Sequence, residues 1–172
     1  VVTAKEEETG KRYRLATEND INLFMETEKH LEKKREMLLN EWGMDPVPDE
    51  ETPEGKGKGA ERAFSVRNYA MNSWGDLFNS RQKLALITFV EKVRQVYEKI
   101  VEEGHDKDYA KAVVSYLALG VDRLASYNTT NAPWHVTGEK ATQIFGRQAL
   151  PMIWDYAETN PFAHSFSWQV QM

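Results

Sequence analysis

Two apolar stretches flanking Gly104 constrain the fold more than any other feature of this chain. Leu84, Ile87, Val90, Val93, Tyr97, Ile100 and Val101 recur every three or four residues, with Lys83, Glu91, Lys92, Arg94, Glu98 and Glu102 between them. That spacing lines the apolar side chains along one stripe of an α-helix. Asn79-Ser80-Arg81-Gln82 precedes the stripe. This is a capping box, in which two side chains satisfy amide groups that a helix start leaves free. A second helix is expected from Asp106, and it is almost wholly apolar from Ala112 to Val121. A helix that is apolar on every side is buried among others. The two segments therefore predict an antiparallel helix hairpin at the centre of the core. Gly120 inside the second helix is read as a point of close approach, at about 1 kcal/mol of propensity relative to alanine.

Strand–helix alternation is missing throughout, and so are internal repeats. We expect a mainly α fold: a helical bundle around that central hairpin, with a small N-terminal β-hairpin and a long flexible loop. The whole of 1–172 reads as a single helical module, divided into a β-hairpin (1–16), a helix (17–43), a flexible loop (44–72) and a helical core (73–172). Val1 to Lys5 is β-prone, Glu6 to Gly10 is a polar turn, and Lys11 to Leu15 alternates polar with apolar. Thr17 caps the next helix, whose apolar residues Ile21, Phe24, Met25, Leu31, Leu38 and Leu39 run to a stop at Gly43. Pro46, Pro48, Pro53, Gly55, Gly57 and Gly59 then break regular structure. Farther on, Thr137 is expected to cap a helix from about Gly138. Pro151 should start or kink a helix that carries Met152, Ile153, Tyr156 and Ala157 until Asn160-Pro161 stops it.

Composition excludes several functions. There is no cysteine, so disulfides and thiolate metal sites are ruled out for this chain. That fits a reducing compartment, and we expect a cytoplasmic location. No apolar run reaches the roughly 18 residues that span a bilayer, and no basic-then-apolar leader opens the sequence, so no membrane partner is expected. The net charge of −5 lacks the basic excess usual for a stand-alone nucleic-acid binder. The first residue is Val1 and the last stretch, to Met172, carries no cap or charged tail, from which we expect a fragment of a longer protein.

Few residues suggest chemistry. His30, His105, His135 and His164 are scattered, and none has a partner at helical metal-ligand spacing. Glu26, Glu28 and Glu32 lie among lysines and read as a solvated face. Asp122 and Arg123, on the helix expected to be buried, read as an internal ion pair that orients the loop after Asn128. The strongest cluster is polar and aromatic: Tyr127, Asn128, Trp134, His135, Lys140, Arg147 and Gln148. Such side chains can stack on and hydrogen-bond a nucleobase. They serve equally well in contact with another domain, where Trp, Tyr and Arg are favoured. Lys56, Lys58 and Arg62 make the second half of the loop locally basic, a further candidate contact for phosphate. Asn160-Pro161-Phe162 looks like the start of an amino-methyltransferase signature, but it lacks the second proline and follows a helical pattern. It reads as a helix stop.

The order of segments carries a resemblance. Trp74-Gly75-Asp76-Leu77-Phe78-Asn79-Ser80-Arg81-Gln82 is similar to a stretch Trp-(Gly/Ser)-Asp-Leu-Phe-x-x-Arg-Gln. Tyr116 to Leu119 with Asp122 to Asn128 is similar to Tyr-Leu-Ala-Leu-x-x-Asp-Arg-Leu-Ala-Asp-Tyr-Asn. Trp134-His135, Phe145 to Met152 and Trp154-Asp155 complete the set. Together they resemble the middle helical region of large adenine-specific DNA methylases of archaea and bacteria that carry a zinc ribbon. The likeness covers about 1–168 and is strong from Trp74 onward.

In that family the cofactor loop and the zinc-binding cysteines precede this region, and the Asp-Pro-Pro-Tyr catalytic motif follows it. The resemblance therefore implies no catalytic, cofactor-binding or metal-binding residue within this chain. S-adenosylmethionine and zinc belong to the rest of the parent, and the chain should be inactive alone. It implies a non-catalytic role in recognising the DNA substrate or covering the active site. The alternative is a structural scaffold that packs Trp134, Trp154 and Trp168 against the missing catalytic domain without touching DNA. The expected partners are that domain and, in the first reading, DNA.

Overall fold

The computed structural model describes residues 2–4 and 11–162. Strands β1 (Val2–Ala4) and β2 (Lys11–Tyr13) pair antiparallel with Val2 opposite Tyr13, the expected hairpin. Its Glu6–Gly10 turn lies outside the described residues, as do the chain end and Trp168.

Helix α1 (Glu18–Trp42) starts where Thr17 and Asp20 form a reciprocal capping box and ends at Gly43, whose φ of 70° only glycine adopts freely. Helix α3 (Ser80–Glu102) starts at the predicted Asn79/Gln82 box. Helix α4 (Lys107–Tyr127) starts where the Asp106 carboxylate accepts the amides of Asp108 and Tyr109. The chain is mostly helical, and α3 packs against α4 as expected. Helix α3 is the central element, since α1 packs against it as well. Leu38 on α1, Val47 and Ile87 on α3 share one buried cluster, and Arg94 lies 4.2 Å above the Trp42 ring at the same seam. Lys34 reaches from α1 to Glu91 on α3 at 2.8 Å, both side chains largely enclosed.

Between α1 and α3 the structure departs from a plain loop. The stretch 44–72 contains a short helix, α2 (Ala60–Ala63), and a 3₁₀ turn at Ser65–Tyr69. A backbone bond from Thr52 N–H to Asn72 C=O closes it on itself, and bonds from Trp74 N–H to Glu50 C=O and from Gly75 N–H to Pro48 C=O tie it to the next turn. Proline and glycine break helices and strands, but they leave backbone groups that must still be paired. Here they pair with the Trp74–Leu77 3₁₀ turn. That turn is capped by Asp76, which accepts the amides of Asn72 and Ser73. Burial raises the pKa of this carboxyl, yet those hydrogen bonds hold it below its ordinary value.

Three expectations are corrected. Helix α4 is not enclosed on every side: Tyr116 is 76% and Leu119 62% exposed, because among the described elements only α3 packs extensively against α4. Asp122 and Arg123 are both exposed and make no internal ion pair among the described residues, because they lie on the outer side of α4. Among the described residues no helix forms after Thr137 or Pro151. Strands β3 (Trp134–His135) and β4 (Lys140–Ala141) pair instead, and 149–160 runs without helix. Asn160-Pro161 therefore stops no helix. Among the described residues no helix is long and apolar enough to cross a membrane.

Candidate functional site

A buried polar turn follows α4. Thr129 Oγ1, Thr130 Oγ1 and Thr130 N–H all donate to the Leu77 carbonyl, at 2.6, 2.8 and 2.9 Å. Asn131 is fully buried and holds the segment 150–162, the strap, by its backbone. Its Nδ2 donates to Pro151 C=O at 2.8 Å and its Oδ1 accepts Ile153 N–H at 2.6 Å. Leu150 exchanges backbone bonds with Ala63 and Val66, and the Met152 amide donates to Ser65 Oγ. These bonds satisfy the strap backbone without neighbours four residues away, which explains why the apolar spacing there does not yield a helix.

The far half of the strap is fixed by side chains. Asp155 Oδ2 accepts the Trp134 amide at 2.8 Å. Tyr156 adopts φ 48°, a left-handed conformation that costs an L-residue about 1–2 kcal/mol. Beyond it Ala157 is buried and Glu158 meets Arg81 and Asn79, with Arg81 Nη2 to Glu158 Oε2 at 2.8 Å. The Arg81 guanidinium is raised above its ordinary pKa by this hydrogen bond, against the effect of desolvation.

The strap leaves aromatic rings outward. Trp154 is 73% exposed and meets the Tyr69 ring edge-on, with centroids 5.1 Å apart. Tyr156 and Phe162 are also exposed, the latter against Phe89 of α3 at 5.9 Å. Scattered single apolar residues are ordinary on protein surfaces, and the exposed rings carried by one anchored segment make the strap the candidate contact surface of the described residues. The sequence reading singled out Trp154 but missed Tyr69, Tyr156, Arg81 and Glu158. Tyr69 and Trp154 lie far apart in the chain, so no spacing rule could pair them.

The predicted cluster divides. Trp134, His135 and Lys140 share the β3–β4 hairpin, with His135 opposite Lys140. Trp134 packs on Ala132, Ala141 and Ala157, so its ring is half-buried within the module. His135 Nδ1 accepts the Gly138 amide at 2.9 Å and so closes the hairpin turn. Arg147 and Gln148 are exposed on the following loop. Tyr127 is half-buried, and its carbonyl accepts Thr159 Oγ1 at 3.2 Å. Asn128 is 1% exposed, out of reach of a surface ligand, and its Oδ1 has no hydrogen-bond partner among the described residues. Lys56 pairs with Glu54 at 3.1 Å, while Lys58 and Arg62 are exposed.

The fold and this site define a mainly helical module with an anchored aromatic strap. The chain matches no protein-family model, no curated protein and no solved structure.

Proposed function

We propose that this chain is a non-catalytic helical region of an S-adenosylmethionine-dependent, adenine-specific DNA methyltransferase, and that its role is to hold the catalytic domain through the aromatic strap. The motifs from Trp74 to Asp155 supply the class of parent. The observation that carries the role is the Tyr69–Trp154 pair, in which Trp154 is held outward on a strap whose backbone is fixed by Asn131 and meets Tyr69 of the Ser65–Tyr69 turn. Aromatic side chains contribute most when they are already ordered, because little conformational entropy remains to be lost on docking.

The test is reconstitution. A polypeptide carrying the family's cofactor loop and Asp-Pro-Pro-Tyr motif is mixed with this chain, and association and methyl transfer to adenine in DNA are measured. Association that weakens about tenfold or more with Trp154→Ala is expected of an interface anchor. Absence of association, or association indifferent to Trp154 and Tyr69, would rule the role out.

A second reading has its own support in the exposed Arg147, Gln148 and Lys140, which suit contact with DNA. Binding of the chain to labelled single- and double-stranded DNA over a salt series separates the two. Direct phosphate contact gives affinity that falls as salt rises.

A further inference from the structure

The strap is held in two different ways along its length. Its near half is fixed through the backbone. Leu150 exchanges bonds with Ala63 and Val66, Met152 N–H reaches Ser65 Oγ, and Asn131 holds Pro151 C=O and Ile153 N–H. Asn131 is fully buried, so its bonds are shielded from water. Beyond Ile153, among the described residues, no backbone group of 154–162 bonds to backbone elsewhere in the chain.

The far half rests on side chains instead. Asp155 accepts the Trp134 amide, Thr159 Oγ1 donates to Tyr127 C=O at 3.2 Å, and Glu158 accepts from Arg81 Nη2 and Asn79 Nδ2. The Arg81 side chain is 48% exposed, and an ion pair open to solvent contributes little. Tyr156 works against these contacts, because its φ of 48° is strained for an L-residue and relaxes once the segment is free. Exposed contacts opposed by strain make a segment of low local stability on a firm base.

We propose that 155–162 is a hinged cover, which swings away from the core while Asn131 keeps the near half in place. Ala157 of the cover packs with Ala132, Ala141 and the Trp134 ring. Thr159 closes over the end of α4, where the next residue, Asn128, is buried with no partner for its Oδ1 among the described residues. Opening exposes the Trp134 ring and frees the Arg81 guanidinium, which also lies 5.4 Å from the Phe24 ring of α1. An aromatic face and a cation thereby join the contact surface that begins at Trp154. A partner that touches them shifts the cover toward its open state, by as much as it binds that state more tightly. This use of the cover rests on the docking role proposed above, whereas the motion itself does not.

Amide hydrogen exchange of the intact chain, followed by NMR, tests the motion without a second protein. The Trp134 amide reports the far half through Asp155, and the Ile153 amide reports the near half through Asn131. Trp134 should exchange faster than Ile153, and the gap should widen as salt screens the Arg81–Glu158 pair. Glu158→Ala should speed Trp134 exchange by about fivefold or more, the scale of an exposed ion pair with its hydrogen bonds, and leave Ile153 unchanged. Tyr156→Gly removes the strain and should slow Trp134 exchange by about threefold, since glycine adopts positive φ freely. Equal protection of the two amides at every salt concentration, equal acceleration of both by Glu158→Ala, or faster Trp134 exchange in Tyr156→Gly would each overturn the cover. The salt series on the unaltered chain decides the matter even where a variant fails to fold. A cover that opens as described, with association indifferent to Trp154→Ala, would refute the docking role alone.

Discussion

Asn131 treats Ile153 as a neighbouring strand would. Its side-chain Oδ1 accepts the Ile153 amide at 2.6 Å while its Nδ2 donates to the carbonyl of Pro151, two residues earlier. One buried amide thus replaces a rung of β-sheet and anchors the segment that presents Trp154.

Asn131→Ala should strand the Ile153 amide and the Pro151 carbonyl. Each buried group left unpaired costs about 1–3 kcal/mol. Urea unfolding followed by circular dichroism should show a loss in that range, with a lower midpoint and unchanged slope. A loss below about 0.5 kcal/mol, the usual scale of a surface change, would refute the anchoring role.

Gly75 and Gly146 should respond in opposite ways to alanine. A Cβ at Gly75 would stand 2.7 Å from the Pro48 carbonyl oxygen and 2.8 Å from Val47 Cγ1, and the backbone there is fixed by the Gly75–Pro48 hydrogen bond. Gly75→Ala should cost about 1–3 kcal/mol, the range for overpacking. At Gly146 a Cβ meets nothing within 4 Å. Gly146→Ala should be neutral, or stabilising by up to about 1 kcal/mol through the unfolded chain. Thermal unfolding of the two variants side by side decides it.

The Lys34–Glu91 pair joins α1 to α3 at 2.8 Å with limited solvent access. Lys34→Ala leaves a buried carboxylate without its cation and should destabilise by about 1.5–3 kcal/mol. The double variant Lys34→Met, Glu91→Leu should be more stable than Lys34→Ala, because two apolar side chains need no hydration. A double-mutant cycle in urea measures the coupling, and additive losses would mean the pair does not link the helices.

Acid should weaken the junction of α1 with the loop after it. Asp45 is held below its ordinary pKa chiefly by hydrogen bonds from the Arg35 guanidinium, against desolvation, with the Val47 amide adding to the effect. A carboxyl depressed in the folded state stabilises fully above its unfolded pKa, about 3.9. That contribution is lost as pH falls through the lower folded value. Stability should therefore decline on acidification below about pH 4, and Asp45→Asn should flatten part of that decline while lowering stability at neutral pH. An Asp45→Asn variant with the same acid profile as the parent would contradict the assignment.

Local elements were legible where a short run of residues carries its own physics. The capping boxes at Thr17/Asp20 and Asn79/Gln82, the glycine stop at Gly43 and the α3–α4 hairpin all follow from spacing within a few turns of helix. The exposed acids Glu26, Glu28 and Glu32 were legible for the same reason. The strap was not, because Met152, Ile153, Tyr156 and Ala157 satisfy a helical period as well as they satisfy scattered contacts. The candidate site was only partly legible: its residue types stood out, while the burial of Asn128 and the Tyr69–Trp154 contact did not.

The sequence by itself determined a mainly helical chain, the starts of its three long helices and the central antiparallel pair, because capping and amphipathic spacing act over neighbouring residues. Only the tertiary structure decided what happens after Asn128. There the backbone could pair within a helix or with distant partners. The buried amide of Asn131, the Leu77 carbonyl and the Arg81–Glu158 bridge supply those partners from segments remote in the chain. The same long-range contacts decided that Trp154 faces outward and that one side of α4 stays uncovered, since exposure depends on which elements reach a surface and not on the residues that form it.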